Sequence, residues 1–393
     1  MSGLVLLLIV FVVLLLINAP IAFVIGGAGI AWFMVSSGIP TSIIVQRVVA
    51  QTQSISFLAV PFFILAGNLM NNTGITPRLM KFSQVVTRRM IGGTCQVSVL
   101  LSTLMGGVSG SAVADATMEA RILGPSMTER GYPKGYSCGV LCLTSLITAT
   151  IPPSLGLILY GFVGNVSIGR LFIAGLIPGL LMCAALMLTV YLTSKHYGYD
   201  IPAPDVTAPT GAEVWSSAKE CFFALVFPIL LIALIRFGLC TSTEAGAVAV
   251  AYALFCGTAV YHELTWEKFK ESLIDSVIDT GGIIFIIAMS GIFSYAITVE
   301  QVPTVLGRVL LGITNNGYLM QILIIIFLTI TGMFIDSNVN ILLFTPLILP
   351  VITELGVNPV HFGIIMMTIV TMLETAMATV ETISPSSVRM LAL

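Results

Sequence analysis

The sequence predicts an all-α, polytopic helical membrane protein, and three observations predict it. Of 393 residues, 57% are hydrophobic and only 9% are charged, against about 25% charged in a soluble domain. Mean hydropathy is +1.06, and apolar runs recur with little polar sequence between them. Two polar, small-residue strings, GGVSGSAVADA from Gly106 to Ala116 and GMFIDSNVN from Gly332 to Asn340, interrupt those runs once in each half. Neither suits a lipid-facing helix, because Asp at the bilayer centre costs roughly 2.5–3.5 kcal/mol and irregular backbone there needs protein or water partners. Paired interruptions at corresponding positions of two halves point to the substrate and ion site of a secondary transporter.

Candidate spans follow in order near residues 3–17, 21–36, 55–70, 90–105, 136–162, 168–193, 221–236, 244–261, 281–298, 318–333, 340–353 and 361–380, spaced as helices in a bilayer roughly 30 Å thick. No Lys or Arg precedes 3–17 and no small-x-small cleavage site follows it. It reads as a membrane helix broken by Asn18 and Pro20, not as a signal peptide. Arg78, Lys81, Arg88 and Arg89 form a short loop without an acid, which the positive-inside rule assigns to the cytoplasm. With 3–17 and 21–36 as separate spans, the N-terminus then lies outside. Lys195 to Glu220, with Pro202, Pro204 and Pro209, is expected to be a loop or linker between the halves. Across it Pro125, Glu129, Gly131 and Pro133 echo Pro350, Glu354, Gly356 and Pro359. Repeats related by an odd number of spans are inverted, which brings both interruptions together; the span count leaves the parity open.

Formal net charge is −2 and the basic residues cluster on no one helix face, so nucleic acid is not an expected partner. Cys95, Cys138, Cys142, Cys183, Cys221, Cys240 and Cys256 contain no CxxC pair and read as small core hydrophobes. No GxxxxGK[ST] loop occurs, so ATP is not expected to be hydrolysed by that route. The chain is expected to be a transporter, not an enzyme, with no cofactor other than coupling ions.

Each interruption has chemistry available. Gly106, Gly107 and Gly110 let the backbone turn and free its carbonyls, while Ser109 and Ser111 offer hydroxyl oxygens. The second string offers Asp336, Ser337 and Asn338 after Gly332. Pro152 and Pro153, in IPPS from Ile151 to Ser154, prevent a continuous helix and free more carbonyls. Such oxygens coordinate sodium, and the amides of a half-helix N-terminus hold a substrate carboxylate. Gly, Ser and Ala also pack membrane helices closely, but packing needs no carboxylate, so Asp115 and Asp336 favour a site. Candidate substrate and ion residues are Ser109, Gly110, Ser111, Asp115, Pro152, Pro153, Ser154, Gly332, Asp336, Ser337 and Asn338, with sodium at Ser109, Gly110, Gly332 and Asp336. Glu244 reads as a capping acid with Thr241 or Thr243 as N-cap. Glu119 and Arg121 are expected to neutralise each other. Asp279 and Glu374 lie near helix ends or inside spans, and His196, His262 and His361 share no ligand spacing.

Five motifs in order, PFFILAGNLM at Pro61–Met70, SGSAVAD at Ser109–Asp115, IPPS at Ile151–Ser154, TEAGAVA at Thr243–Ala249 and GMFID to LLFTPLILP at Gly332–Pro350, resemble the large membrane (permease) subunit, the DctM type, of tripartite ATP-independent periplasmic (TRAP) transporters. The likeness runs from roughly residue 1 to 371. It implies inverted repeats with two re-entrant helical hairpins, of the elevator type found in the ion transporter superfamily. Residues 1–50 would be N-terminal scaffold helices, 51–194 the first repeat with a hairpin near 90–125, 195–220 the linker, and 221–393 the second repeat with a hairpin near 318–350. The implied function is sodium-coupled import of an organic acid across the bacterial inner membrane. The implied partners are a small four-helix membrane subunit, a periplasmic binding protein and the lipid bilayer.

The family pattern leads one to expect, near 374–382, a Gly-rich stretch and a Thr-Pro-Pro-x-Gly break, then about forty or more residues. The chain reads LETAMATVETISPSSVRMLAL from Leu373. Ser384-Pro385-Ser386 is a candidate displaced break, which Glu374 and Glu381 fit badly, and a truncated or frameshifted end is the expectation. Two other readings stand beside the TRAP one: an ion-coupled anion exchanger or symporter of a related inverted-repeat family without a binding protein, and a truncated inactive product. No residue pattern separates dicarboxylates from sialic, sugar or keto acids.

Overall fold

Apolar runs become helices here because a bilayer offers backbone N–H and C=O groups no other partner. A computed structural model describes residues 3–383 apart from 18, 37, 54, 204, 205, 315 and 334. Asn18 and the Ser384-Pro385-Ser386 triplet lie outside the described residues, as does the side chain of Glu381. The first half holds α1 (Gly3–Leu16), α2 (Ile21–Val35), α3 (Ser42–Thr52), α4 (Ala59–Asn72), α5 (Ile75–Thr87), α6 (Gly93–Gly106), α7 (Ala112–Glu129), α8 (Lys134–Thr150), α9 (Leu155–Val163) and α10 (Ile168–Tyr197). The second holds α11 (Gly211–Glu220), α12 (Phe222–Arg236), α13 (Ser242–Phe255), α14 (Trp266–Val299), α15 (Val302–Ile313), α16 (Gly317–Gly332), α17 (Ser337–Glu354) and α18 (Pro359–Ile383). There is no strand among the described residues.

By length and composition, five helices suffice to cross a membrane: α10, α13 with its continuation to Val260, α14, α17 and α18. Counting the bent pairs α8–α9 (52°) and α11–α12 (64°) as single spans makes seven, fewer than the twelve runs suggested. The difference lies in short helices. α1, α2, α4, α6 and α16, which cover the other five runs, are only 14, 15, 14, 14 and 16 residues long, or roughly 21–24 Å at 1.5 Å per residue. The run 136–162 is one of the bent pairs, because Pro152 and Pro153 have no N–H with which to continue α8.

Two segments read as loops are helical. Arg78 and Lys81 lie on α5, whose buried Ile75, Leu79, Ser83 and Thr87 recur every fourth residue. Their charges made the segment look like a loop, but they occupy its polar face and find acids from distant sequence. Arg78 pairs with Glu263 at 2.6 Å, Lys81 with Glu220 at 2.8 Å and Arg88 with Glu213 at 2.7 Å. The stretch after Lys195 likewise contains the end of α10 and then α11, which a reciprocal box between Thr210 and Glu213 starts. Glu244 closes the same kind of box with Thr241 at the head of α13.

Three apolar clusters hold the helices. One is built around α4, α9, α10, α12, α13, α17 and α18, with Phe63, Tyr160, Phe172 and Phe227 at its centre. A second joins α1 and α2 to α14, where the Trp32 indole N–H donates to Glu300 at 2.7 Å. The third lies among α6, α7 and α8. All seven cysteines are free thiols, five buried and two half-buried, as expected of core hydrophobes.

Candidate functional site

A cavity of about 820 Å³ lies where the two polar strings meet. Glycine sets its first wall. Gly110 turns between α6 and α7 at φ +62°, and a Cβ there would overlap the Pro153 carbonyl oxygen. The turn and the α8–α9 break therefore touch backbone to backbone, and Leu155 N–H donates to the Gly110 carbonyl at 3.4 Å. On α4, Gly67 admits the same turn, its Cβ position lying 3.2 Å from the Ser109 carbonyl oxygen. Ser111 caps α7 by accepting Ala114 N–H at 3.4 Å, and Ser154 caps α9 by accepting Leu157 N–H at 3.5 Å. The Ser109 hydroxyl is buried without a hydrogen-bond partner.

The second string supplies another wall. Asp336 caps α17, its carboxylate accepting Asn338 N–H at 2.8 Å and Val339 N–H at 3.3 Å. Glu374 reaches in from α18 to accept Ser337 N–H at 3.0 Å. Gly332 ends α16 against α18, its Cβ position 3.3 Å from the Val370 carbonyl oxygen. A third wall is α4 against α14, where the Asn68 amide donates to Ser276 at 3.1 Å and to Asp279 at 3.4 Å.

Helices α7, α9 and α17 all begin at this cavity, each turning the positive end of a peptide dipole toward it, although at α17 the first-turn N–H groups of Ser337, Asn338 and Val339 are already taken by Glu374 and Asp336. Arg121, on α7, adds a full positive charge and has no hydrogen bond or ion pair among the described residues. Asp279, Asp336 and Glu374 bring carboxylates. The lining thus offers donors for an anion and oxygen ligands for cations within one space.

Of the residues singled out from sequence, Ser109, Gly110, Ser111, Pro153, Asp336 and Asn338 line the cavity. Pro152, Ser154, Gly332 and Ser337 lie outside its lining, in the breaks and caps that shape it. Asp115 is not in the lining; it is buried with its Oδ2 2.5 Å from the Thr148 hydroxyl. Glu119 and Arg121 do not neutralise each other, because residues two apart face different sides of a helix. Glu119 is buried among hydroxyls while Arg121 opens on the cavity. Asn68, Asn71, Arg121, Asp279 and Glu374 were missed. The available signal was that ionisable residues in apolar spans mark function by default, and it applied to Asp279 and Glu374.

An all-α bundle with several helices apolar enough to cross a membrane, and with broken helices bordering a cavity that carries Arg121, Asp279, Asp336 and Glu374, is a multi-pass membrane protein by class. The chain matches the family model of the tripartite ATP-independent periplasmic transporter, DctM component, over residues 8–379. It belongs to that family. It is 36% identical over 353 residues to the sialic acid TRAP transporter large permease protein of Vibrio cholerae, covering 89% of this chain and 81% of that protein. Over 348 residues it is 34% identical to the 2,3-diketo-L-gulonate TRAP transporter large permease protein of Escherichia coli, covering 88% and 81%. The isethionate TRAP transporter permease protein of Oleidesulfovibrio alaskensis is 32% identical over 357 residues, 91% of this chain but 56% of that longer protein.

Proposed function

We propose that this chain imports an organic acid across the bacterial inner membrane, driven by sodium, as the large subunit of a three-part system. The observation that carries the reading is the convergence of three helix N-termini and Arg121 on one cavity of about 820 Å³, within the roughly 300–1,000 Å³ range of small-ligand sites. An acid's carboxylate docks on Arg121 and the N-terminal amides of α7, since those of α17 are engaged by Asp336 and Glu374. Sodium is held at the first break by oxygens of Ser109 and Gly110, and at the second by Gly332 and Asp336. The buried, unpartnered Ser109 hydroxyl supports the first of these sites.

The partners are a small four-helix membrane subunit and a periplasmic binding protein that delivers substrate, as the family's description as tripartite suggests. The relatives named for sialic acid, diketogulonate and isethionate support an acidic substrate. The half-length α6 and α16, each followed by a break, act with α7 and α17 as re-entrant hairpins of two inverted repeats, and the body carrying them moves in an elevator step. The test is uptake into proteoliposomes carrying both membrane subunits, with the binding protein and a panel of labelled acids outside. Uptake requires an inward sodium gradient and all three proteins. Robust uptake by the large subunit alone overturns the three-part reading.

A further inference from the structure

Away from the cavity, α7 holds two carboxylates that transport chemistry at Arg121 does not use. Asp115 and Glu119 stand one turn apart; Ser98 and Ser102 on α6, and Thr144 and Thr148 on α8, have the same spacing. Residues four apart share a helix face, so all six project into the seam where these three helices pack, and none is more than 1% exposed. Glu119 Oε1 accepts the Ser102 hydroxyl at 2.8 Å, and Oε2 accepts the Ser98 hydroxyl and, at 3.4 Å, that of Thr144. The Thr148 hydroxyl lies 2.5 Å from Asp115 Oδ2 and 2.9 Å from the Ser102 carbonyl, two acceptors for its one proton. Asp115 Oδ1 is fully buried and has no partner.

Nothing cationic compensates them among the described residues. Neither acid takes part in an ion pair. The helices packed on α7 carry few charges: α6 has none, Lys134 on α8 and His361 on α18 are exposed, and Glu374 is engaged with Ser337. Arg121 opens on the cavity. Hydroxyls alone do not cancel two negative charges removed from water, and buried charges persist where a counter-charge meets them. Close packing of the seam would need only small residues. We propose that Asp115 and Glu119 form a site for one monovalent cation, separate from the cavity, with Asp115 Oδ1 and the seam hydroxyls as its oxygen donors. Sodium and a proton both supply that charge. The site does not depend on the substrate reading, since it concerns binding by the chain itself.

The test counts cations on the full chain purified in detergent, without substrate or partners. Radiolabelled sodium binding at saturation is compared between wild type, Asp115→Asn and Glu119→Gln. In parallel, the infrared band of a protonated carboxyl is recorded for wild type with sodium and with choline. Loss of one sodium equivalent in either variant supports the site with sodium as occupant. An unchanged sodium count, with a wild-type protonated-carboxyl band that Glu119→Gln or Asp115→Asn removes, supports it with a proton as occupant. If the variants do not fold, the wild-type spectra still decide: a protonated-carboxyl band in choline that sodium abolishes, or that persists in both salts, supports the site, and no such band in either salt overturns it. An unchanged sodium count in folded variants together with an unchanged spectrum overturns it as well.

Discussion

Arg121 projects its charge into the cavity while Glu119, two residues earlier, is buried in the α6–α8 seam. Replacing it by Gln removes charge-assisted hydrogen bonds worth about 1.5–3 kcal/mol, so uptake of a carboxylate at limiting concentration falls roughly ten- to a hundredfold at 1.4 kcal/mol per decade. The loss appears mainly in KM for substrate, and Lys restores only part of it, because a point charge does not reproduce the guanidinium fork. Initial rates against substrate concentration check this; an unchanged KM removes Arg121 from the site. Ser109→Ala is a second case. Its hydroxyl makes no hydrogen bond within the protein, so thermal stability stays at the wild-type level while the sodium concentration for half-maximal uptake rises roughly tenfold, about 1.4 kcal/mol. A matching drop in melting temperature with unaltered sodium dependence assigns Ser109 to packing. Glu244 was legible as a capping acid in its string, since an acid just inside a helix start has a local reason, whereas Asp336 reads from sequence only as a site carboxylate and its cap on α17 emerges from the structure. Arg121 was not, because adjacency in sequence hides which helix face a side chain takes.

At the scale of elements, two glycines of similar conformation separate backbone strain from contact. Gly110 has φ +62° and Gly131 φ +86°. A Cβ at Gly131 would meet nothing within 4 Å, whereas one at Gly110 would overlap the Pro153 carbonyl. Gly131→Ala therefore costs the left-handed penalty, about 1–2 kcal/mol, and leaves sodium-dependent uptake per folded molecule unchanged. Gly110→Ala pushes the α6–α7 turn off the α8–α9 break and abolishes uptake beyond what its loss of folded protein explains. Melting curves and uptake normalised to folded protein distinguish the two; equal behaviour means that the turn does not need this approach. The break at Pro152-Pro153 was plain in sequence because proline states its effect locally. α5 and α11 were not, since their apolar stripes are narrow and their charges find partners, Glu263 for Arg78 and Arg88 for Glu213, only through folding. The walls given by α4, α14 and α18 are likewise products of packing between segments as distant as Asn68 and Asp279.

For the whole molecule, coupling follows from how many oxygen-rich breaks one cavity joins. Both strings border it, and the reading above gives each break a sodium ion. A monocarboxylate entering with one sodium moves no net charge, so the membrane potential adds nothing to its accumulation. A second sodium makes each cycle carry one positive charge, and ~2.3 kcal/mol per charge per 100 mV then supports roughly a fiftyfold gradient at 1.4 kcal/mol per decade. The expected outcome is sigmoidal dependence of monocarboxylate uptake on sodium, with a Hill slope above one, and faster uptake when a potassium diffusion potential makes the vesicle interior negative. Ser109→Ala and Asp336→Asn, each perturbing one break, should both raise the sodium concentration for half-maximal uptake, and whichever of them abolishes its site outright should lower the Hill slope toward one. A dicarboxylate entering as a dianion with two sodium ions is electroneutral and should ignore the imposed potential, which separates ion stoichiometry from any general effect of voltage on the protein. A Hill slope of one, together with potential-independent monocarboxylate uptake, rules out two-sodium coupling and leaves one break as a purely structural turn.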